Sequence, residues 1–184
     1  MFSYRIDDDT ELRLPEERHV EEAFALTLEN HGHLRAWLPW LRDDFSIEDT
    51  RHFIKQNLRQ FADNKGFSVN VVFQGKIAGL VGYNLIDWSN RATELGYWIG
   101  AAYQGRGLIT KSCRALIDHA FDNLKLNRVE ISCGTENRRS RAIPERLGFT
   151  QEGIRRQAEW LHDHFVDLAI YGMLASDWQR KDLN

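Results

Sequence analysis

The sequence is short of cysteine, proline and long hydrophobic runs, and these shortages exclude several classes of protein. Two cysteines, Cys113 and Cys133, are too few for a disulfide framework, and both lie in apolar patterns typical of core residues. No apolar run approaches the roughly 20 residues that cross a bilayer. The N-terminal MFSYRIDDDTELRL lacks a basic segment followed by an apolar one, so no secretory signal is expected. We therefore expect a cytoplasmic protein in a reducing compartment, without membrane contact.

Neither sign of charge dominates the chain. It has 24 Lys and Arg against 27 Asp and Glu, a formal net charge of −3, which argues against a general nucleic-acid binder. Low-complexity segments, repeats and linkers are lacking, with only three prolines, and 42% of the residues are hydrophobic, as in globular chains. Because 184 residues suit one domain, we expect residues 1–184 to form a single domain.

Hydrophobic periodicity predicts a helical first third after two short strands, MFSYRI and ELRL, around a DDDT turn. A helix in EERHVEEAFALTLENHG is expected to end at Gly32. Its predicted apolar face comprises Val20, Ala23, Phe24, Thr27 and Leu28. A second helix begins near Ser46 in SIEDTRHFIKQNLRQFADNKG, where Ser46 and Asp49 resemble a capping box.

The rest of the chain predicts a mixed sheet. FSVNVVF, KIAGLVGYNLI and ATELGYWIG are β-branched and aromatic runs with short breaks between them, which favours antiparallel hairpins. A helix in LITKSCRALIDHAFDNL then allows RVEISCG to lie parallel to ELGYWI. A short helix in NRRSRAIPERLGF, a loop containing QAEWLHDH and a strand in FVDLAIYGML complete the order. The pattern predicts an α+β fold on a mixed, mostly antiparallel sheet flanked by helices.

Two glycines and an arginine precede the third predicted helix in AAYQGRGLITKS. A Walker loop requires glycine before its lysine, and none stands there. The dinucleotide motif GxGxxG also matches poorly, because Thr110 replaces its third glycine and the preceding strands form a meander. Gly105 and Gly107 nevertheless let backbone approach an anion, the N–H groups of residues 106–110 open a helix, and Arg106 adds a cation. A tight turn explains the two glycines equally well.

The loop and its flanks resemble the GNAT acyl-CoA N-acetyltransferases. The pyrophosphate loop of that family has Gln or Arg, two residues, Gly, one residue, then Gly or Ala. Residues 104–109, QGRGLI, match it up to the last position, where Ile109 replaces the small residue. The segment HLRAWLPWL, residues 33–41, is typical of the RimJ/RimL branch, which acts on ribosomal protein N-termini. A further family pattern is formed by Asn137, Ser140, Glu145, Gly148 and Phe149.

The resemblance implies a single GNAT-like domain with acetyl-CoA as co-substrate and no metal. In such folds the strand matching ELGYWIG splays from its parallel neighbour, and pantetheine lies in the gap against strand backbone. Arg138, Arg139 and Arg141 are candidates for the phosphates or for an acidic partner, unless they form a solvated helix face. The implied cofactor-binding residues are Tyr97, Trp98, Ile99, Gly105, Arg106, Gly107, Leu108, Ile109, Thr110 and Asn137.

The implied chemistry is direct attack of an amine on the thioester through a tetrahedral intermediate, which requires a base for the amine and a proton for the thiolate. The resemblance makes Ser140 the candidate acid, although Ser140 also suits a helix N-cap. Glu159, in the loop before the last strand, is the candidate base acting through water, and Glu94 is its rival. Both are alternatively ordinary exposed carboxylates. His162 and His164 do not suggest a metal site, because no third ligand lies nearby.

The acceptor is expected to enter beside an aromatic segment in which Trp37 and Trp40 bracket Pro39. We expect Trp37 to line a peptide slot and Trp40 to pack in the core or against a second subunit. The leading hypothesis is acetylation of the N-terminal amine of a ribosomal protein, beginning with Ser or Ala, by a homodimer or larger homo-oligomer without direct nucleic-acid contact. The alternatives are a small acceptor such as a polyamine or aminoglycoside, and a non-catalytic acyl-CoA-binding module.

Overall fold

The computed structural model describes residues 3–178, so the first two residues of the expected strand MFSYRI lie outside it. The helices are α1 (Val20–Glu29), α2 (His31–Arg35), α3 (Ile47–Ala62), α4 (Leu108–Asp118) and α5 (Arg138–Leu147), with a π-helical turn, His119–Asn123, extending α4. The strands are β1 (Ser3–Arg5), β2 (Thr10–Arg13), β3 (Phe67–Phe73), β4 (Lys76–Asp87), β5 (Ala92–Ile99), β6 (Arg128–Gly134), β7 (Thr150–Leu161) and β8 (His164–Leu174). Within this range no helix is long and apolar enough to span a membrane.

The eight described strands form one sheet in the order β1-β2-β3-β4-β5-β6-β8-β7. Neighbouring strands are antiparallel except β5 and β6, which are parallel. A parallel pair needs a crossover, and α4 lies within it. The predicted α+β fold, with its mixed and mostly antiparallel sheet, is confirmed.

The parallel strands are paired at one end only. Beyond Glu94, β5 continues along β4 as far as Ile99, whereas β6 continues along β8 as far as Gly134. The two strands therefore separate, and the expected splay is confirmed. Their whole parallel register is Ala92 with Arg128, Thr93 with Val129 and Glu94 with Glu130.

The two faces of the sheet bury different helices. Leu95 of β5 joins one apolar cluster with Cys113 and Leu116 of α4, whereas Val72 and Ile77 pack with Leu26 of α1 on the other face. Each fully buried aliphatic side chain contributes about 1.5–3 kcal/mol to folding. Packing on both faces therefore fixes the strands on either side of the gap.

Asn57 attaches α3 to β3. Its Nδ2 donates to the Ser68 carbonyl at 2.9 Å, and its Oδ1 accepts from the Ser68 N–H at 2.6 Å. The side chain is 2% exposed, and buried amides are stable only when both ends are paired. The pairing fixes α3 over the sheet as one wall of the gap.

The predicted end of the first helix is wrong. It stops at Glu29, and α2 follows after a break at Asn30 instead of the chain leaving the helix at Gly32. Asn30 ends α1 because its Nδ2 donates back to the Leu26 carbonyl at 2.8 Å while its Oδ1 accepts from the Ala101 N–H at 2.7 Å. Of the predicted apolar face, Val20 and Thr27 are buried and Ala23 and Phe24 half-buried, as expected, whereas Leu28 is wrong because it is 55% exposed.

The expected loop containing QAEWLHDH is instead mostly the end of β7. This strand lies at the edge of the sheet and is exposed along most of its length. An edge strand open on both faces lacks the apolar alternation from which half-buried strands are predicted. Glu159 therefore lies on a strand rather than in a loop.

The capping box predicted at Ser46 is confirmed. The Asp49 carboxylate accepts from the Ser46 N–H at 2.9 Å and from its hydroxyl at 2.7 Å, and these bonds lower the pKa of Asp49.

Replacing Ser46 with Ala removes the capping hydroxyl and should lower the free energy of unfolding by about 1 kcal/mol. Urea denaturation of the parent and Ser46→Ala measures this difference, and Ser46→Thr, which keeps the hydroxyl, should retain most of the stability. Equal stability of the Ala variant and the parent would contradict a stabilising role for the cap.

Candidate active site

The gap between β5 and β6 opens into a cleft of about 2160 Å³. The fold brings together residues from the first and last quarters of the chain here, because α2, α3, β5, α4, α5 and β7 all contribute to the walls. Among the predicted site residues, Arg106 does not line the cleft. Those that do are Trp37, Glu94, Tyr97, Trp98, Ile99, Gly105, Gly107, Leu108, Ile109, Thr110, Asn137, Ser140 and Glu159.

The glycine loop begins α4 with left-handed backbone. Gly105 and Gly107 both have φ of +74°, and Gly107 is the N-cap of the helix. The first N–H groups of a helix have no intrahelical partner, and no side chain caps them here. An added Cβ at either glycine would meet nothing within 4 Å. The loop thus offers open space and N–H donors that fit a pyrophosphate.

The positive charge beside the loop comes from arginines other than Arg106, among them Arg146, whose Nη1 donates to Thr110 Oγ1 at 2.9 Å. The Arg106 guanidinium lies over the Phe73 ring, 5.5 Å from its centroid, and does not line the cleft. Arg139 does line the cleft, and its Nη1 donates to Gln104 Oε1 at 2.8 Å. Arg138 also lines the cleft. Arg106 was expected to add a cation to the anion site, but in this structure only its backbone can contribute to the loop.

Arg141 is directed away from the cleft. Its Nε donates to the Tyr171 hydroxyl and its Nη1 to the Thr135 carbonyl, both at 2.9 Å. Neither the phosphate role nor a freely solvated position describes it, because these bonds join α5 to β8 and to the end of β6.

Asn137, rather than Ser140, is the N-cap of α5. Its Oδ1 accepts from the Ser140 N–H at 3.1 Å. The N-cap interpretation of Ser140 is therefore wrong, and the Ser140 hydroxyl remains available for other bonds inside the cleft.

That hydroxyl belongs to a cluster that joins β5, β6 and α5. Ser140 Oγ donates to the Tyr97 hydroxyl at 3.3 Å and lies 3.2 Å from Cys133 Sγ. The Tyr97 hydroxyl in turn donates to the Ser140 carbonyl at 3.0 Å. Burial raises the pKa of Tyr97 well above its usual range and also raises the pKa of the Cys133 thiol. Both groups therefore keep their protons at neutral pH.

Pro144 explains why the Ser140 carbonyl is open to Tyr97. In an α-helix this carbonyl would accept from the N–H of residue 144, but proline has none. The helix continues through Pro144, and the Tyr97 hydroxyl replaces the missing donor across the splay. The spacing of Ser140 and Pro144 in the sequence indicates that this carbonyl loses its helical donor, but the sequence does not indicate that Tyr97 on β5 replaces it.

The backbone of β5 is directed alternately to the two sides of the strand. The Gly100 N–H donates to the Ala78 carbonyl at 2.9 Å, and the Trp98 carbonyl lies against Gly79, so both face β4. Tyr97 and Ile99 then direct their N–H and C=O groups into the gap. Of the three residues expected to offer backbone to pantetheine, these two are oriented toward it.

Glu94 of β5 and Glu159 of β7 both line the cleft. Burial raises the pKa of Glu159, and the negative charge of Glu94 raises it further. The two rival candidate bases are thus electrostatic neighbours. As the pH falls, Glu159 therefore binds a proton at a higher pH than an ordinary glutamate does.

A bulge in β7 sets the direction of Glu159. The register steps from Arg155 opposite Leu168 to Glu159 opposite Val166, so residues 156–158 all face Asp167. Gln157 has φ of 48°, and its N–H donates to Asp167 Oδ1 at 2.8 Å. Asp167 thereby stabilises the bulge.

A second bulge places Asn84 in the cleft. Tyr83 pairs with Leu95 and Leu85 with Glu94, which leaves Asn84 as the extra residue on β4. Its carboxamide fills the space above Gly96, where an added Cβ would lie 2.7 Å from Asn84 Oδ1. Sequence reasoning missed both bulges, because each depends on the register of a partner strand.

Trp37 and Trp40 stand at the mouth of the cleft. The Trp37 ring lies over Gly134, at the end of β6, and is 36% exposed. Trp40 is 45% exposed and contacts the Phe45 ring at a centroid distance of 5.7 Å. The core position expected as one alternative for Trp40 is therefore wrong, and packing against a second subunit stays a prediction.

The two histidines of the β7–β8 hairpin have separate partners. His162 lies in the turn, with Nε2 2.9 Å from the Arg35 carbonyl, whereas His164 Nδ1 lies 2.6 Å from Asp163 Oδ1. Within residues 3–178, no group of three or more His, Cys, Asp or Glu is arranged to hold a metal ion.

Comparison with known proteins agrees with this geometry. Residues 9–150 match the family model described as an acetyltransferase (GNAT) domain. The chain is 34% identical to the putative ribosomal N-acetyltransferase YdaF of Bacillus subtilis (strain 168), across 97% of this chain and 98% of YdaF.

Two solved structures share the fold. The RimL ribosomal α-N-protein acetyltransferase in complex with coenzyme A has a TM-score of 0.90 and 29% identity, covering 94% of this chain and 98% of that one. The microcin C7 self-immunity acetyltransferase MccE, in complex with acetyl-CoA and AMP, has a TM-score of 0.89 and 31% identity, covering 92% and 94%.

Replacing Tyr97 with Phe should destabilise the protein by about 1–3 kcal/mol, because the Ser140 carbonyl loses its substitute donor. In a Pro144→Ala background, the new N–H at position 144 can bond that carbonyl, so the same substitution should cost less than half as much. Urea denaturation of all four proteins gives the comparison. An equal cost of Tyr97→Phe in both backgrounds would contradict the link between Pro144 and Tyr97.

Replacing Glu94 with Gln should lower the pKa of Glu159, because one of the two causes that raise it is removed. The ¹³C shift of the Glu159 carboxyl, followed by NMR across pH, measures the change. Glu21→Gln, on the exposed surface of α1, should leave the titration unchanged. An unaltered Glu159 pKa in Glu94→Gln would show that the two carboxylates do not interact.

Proposed function

The chain belongs to the GNAT acetyltransferase family and is an acetyl-CoA-dependent N-acetyltransferase, and from that premise we propose that its acceptor is a protein N-terminus. The acceptor group is the α-amino group of a ribosomal protein whose first residue is Ser or Ala. YdaF and RimL, two of its relatives, carry names that refer to ribosomal acetylation.

The observation that carries this proposal is the size and openness of the cleft. Small-molecule pockets measure about 300–1,000 Å³, whereas this cleft measures about 2160 Å³ and is lined in part by the exposed rings of Trp37 and Trp40. Space remains for a peptide beside the co-substrate. Among the described residues that line the cleft, four are acidic (Asp49, Glu94, Glu136 and Glu159) and seven are Lys or Arg. The cleft is therefore not the strongly acidic pocket that would favour a polyamine.

Deprotonation of the amine is assigned to Glu159. A free α-amino group has a pKa of about 7.7–8.0, so a modest base suffices. Because the pKa of Glu159 is raised, it lies closer to the pKa of the amine than that of an ordinary glutamate does, which favours proton transfer through a water molecule. Asn84 Oδ1, above Gly96, is placed to accept a hydrogen bond from the same amine and orient it.

The leaving sulfur receives its proton from Ser140. Its hydroxyl is held by the Tyr97 hydroxyl and stands beside Cys133 at the end of the gap. The N–H groups of Tyr97 and Ile99, directed into the gap, are donors for the developing oxyanion. Acetyl-CoA supplies the activated acetyl group, and the residues of this chain bind, orient and exchange protons.

Free-thiol release from acetyl-CoA tests the acceptor, with peptides beginning with Ser, Ala or Met and with spermidine. Turnover of the Ser and Ala peptides is expected. Acetylation of spermidine alone would overturn the protein-acceptor proposal. In the same assay Glu159→Gln and Ser140→Ala should each lower kcat by about 100-fold, with Glu21→Gln as the matched control, and near-parental rates in both would remove these residues from the mechanism.

A further inference from the structure

Two buried polar side chains in the part of the cleft wall formed by α3 and β3 each have one atom without a hydrogen-bond partner among the described residues. Thr50 on α3 is 6% exposed and Asn70 on β3 is 2% exposed. Neither Thr50 Oγ1 nor Asn70 Nδ2 has a partner among residues 3–178, and both residues line the cleft. Buried polar atoms are nearly always paired in native proteins, so two together at one cavity wall suggest a ligand.

Asn57, on the same helix as Thr50, is a buried amide whose side chain is hydrogen-bonded at both ends. Asn57 is as deeply buried as Asn70, yet both ends of its side chain are bonded to Ser68. Thr27, a third buried polar residue lining the cleft, donates its hydroxyl to the Ala23 carbonyl at 2.8 Å. Three other described side chains, Arg13, Arg35 and Ser112, also have a buried atom without a hydrogen-bond partner, but they do not line the cleft. Thr50 and Asn70 are thus the two described cleft-lining residues with such an atom.

Thr50 and Asn70 lie on the same side of the bonded pair Asn57 and Ser68. Thr50 lies two turns before Asn57 on the same face of α3, and Asn70 lies two residues after Ser68 on the same face of β3. The short connection 63–66 reverses the chain, so α3 and β3 run in opposite directions. Both displacements, from Asn57 back to Thr50 and from Ser68 forward to Asn70, therefore lead in the same direction. They amount to about 10 Å along the helix and about 7 Å along the strand.

The pairing of the strands gives the distance from Asn70 to the reaction. Asn70 is opposite Leu80, and Leu80 is opposite Trp98, so the three form one row across β3, β4 and β5. Two strand spacings separate Asn70 from Trp98 by about 10 Å. The row begins beside the gap where acetyl transfer is proposed and crosses apolar Leu80 before reaching Asn70.

We propose that Thr50 and Asn70 form an acceptor subsite for the hydroxyl of a Ser or Thr at the second residue of the acceptor, an inference that rests on the proposed function. A hydroxyl both donates and accepts, which suits an amide N–H and a threonine hydroxyl together. From the reacting amine, the hydroxyl of the second residue lies up to about 7 Å along an extended chain. A hydrogen bond adds about 3 Å, so the hydroxyl of the second residue can span the separation of about 10 Å from Asn70. A hydroxyl on the first residue lies too close to the amine to reach Asn70.

The test compares two peptides that differ only at the second residue, Ser-Thr and Ser-Val, which have the same shape. In the parent, kcat/KM should be about 3- to 10-fold higher for the Thr peptide. Thr50→Val and Asn70→Leu should bring the ratio close to one, and Thr50→Ser should preserve it. Thr27→Val is the matched control and should leave the ratio unchanged. A ratio within each variant is insensitive to a general loss of folded enzyme.

Three outcomes overturn the subsite. A parent that acetylates both peptides equally contradicts the subsite alone and leaves the protein-acceptor proposal standing. A preference for Thr that persists in Thr50→Val and Asn70→Leu contradicts the assignment to these residues. Failure to acetylate either peptide contradicts the proposed function, and the subsite falls with it.

Discussion

The separation of β5 from β6 after Glu94 is the constraint on which the rest of the site depends. Three parallel pairs hold the strands together at one end, and each strand then follows a different antiparallel neighbour. Apolar packing on both faces keeps them apart, because neither strand can shift without uncovering buried side chains. The gap leaves the backbone N–H and C=O groups of Tyr97 and Ile99 directed away from β4, and the glycine loop and α5 lie at its open end.

A second constraint connects the chemistry of α5 to β5. Pro144 leaves the Ser140 carbonyl without its helical donor, and the Tyr97 hydroxyl supplies one from across the gap. The same hydroxyl accepts from Ser140 Oγ, so one tyrosine satisfies the helix and orients the candidate acid. The tyrosine reaches this position because β5 and β6 have separated, which makes the helix and the splay interdependent.

Features that depend on local sequence were predictable. The Ser46 cap, the hairpins, the crossover that makes β6 parallel to β5 and the left-handed glycines before α4 follow from residues close together in the chain. Features that depend on distant partners were not. Asn30 ends a helix by bonding Ala101, Arg106 turns to Phe73, and Asp167 shapes the bulge that places Glu159. Edge strand β7 lacked a pattern because its environment lacks a buried face.

We propose that the separated edge of β5 binds the thioester arm of acetyl-CoA while the start of α4 binds its phosphates. Amide hydrogen exchange with and without coenzyme A tests it residue by residue. The N–H groups of Tyr97 and Ile99, and those of residues 108–110, should become protected on binding, whereas the Trp98 N–H, directed to β4, should exchange at the same rate in both states. Protection of Trp98 in place of its two neighbours, or no change in any of these amides, would contradict the account.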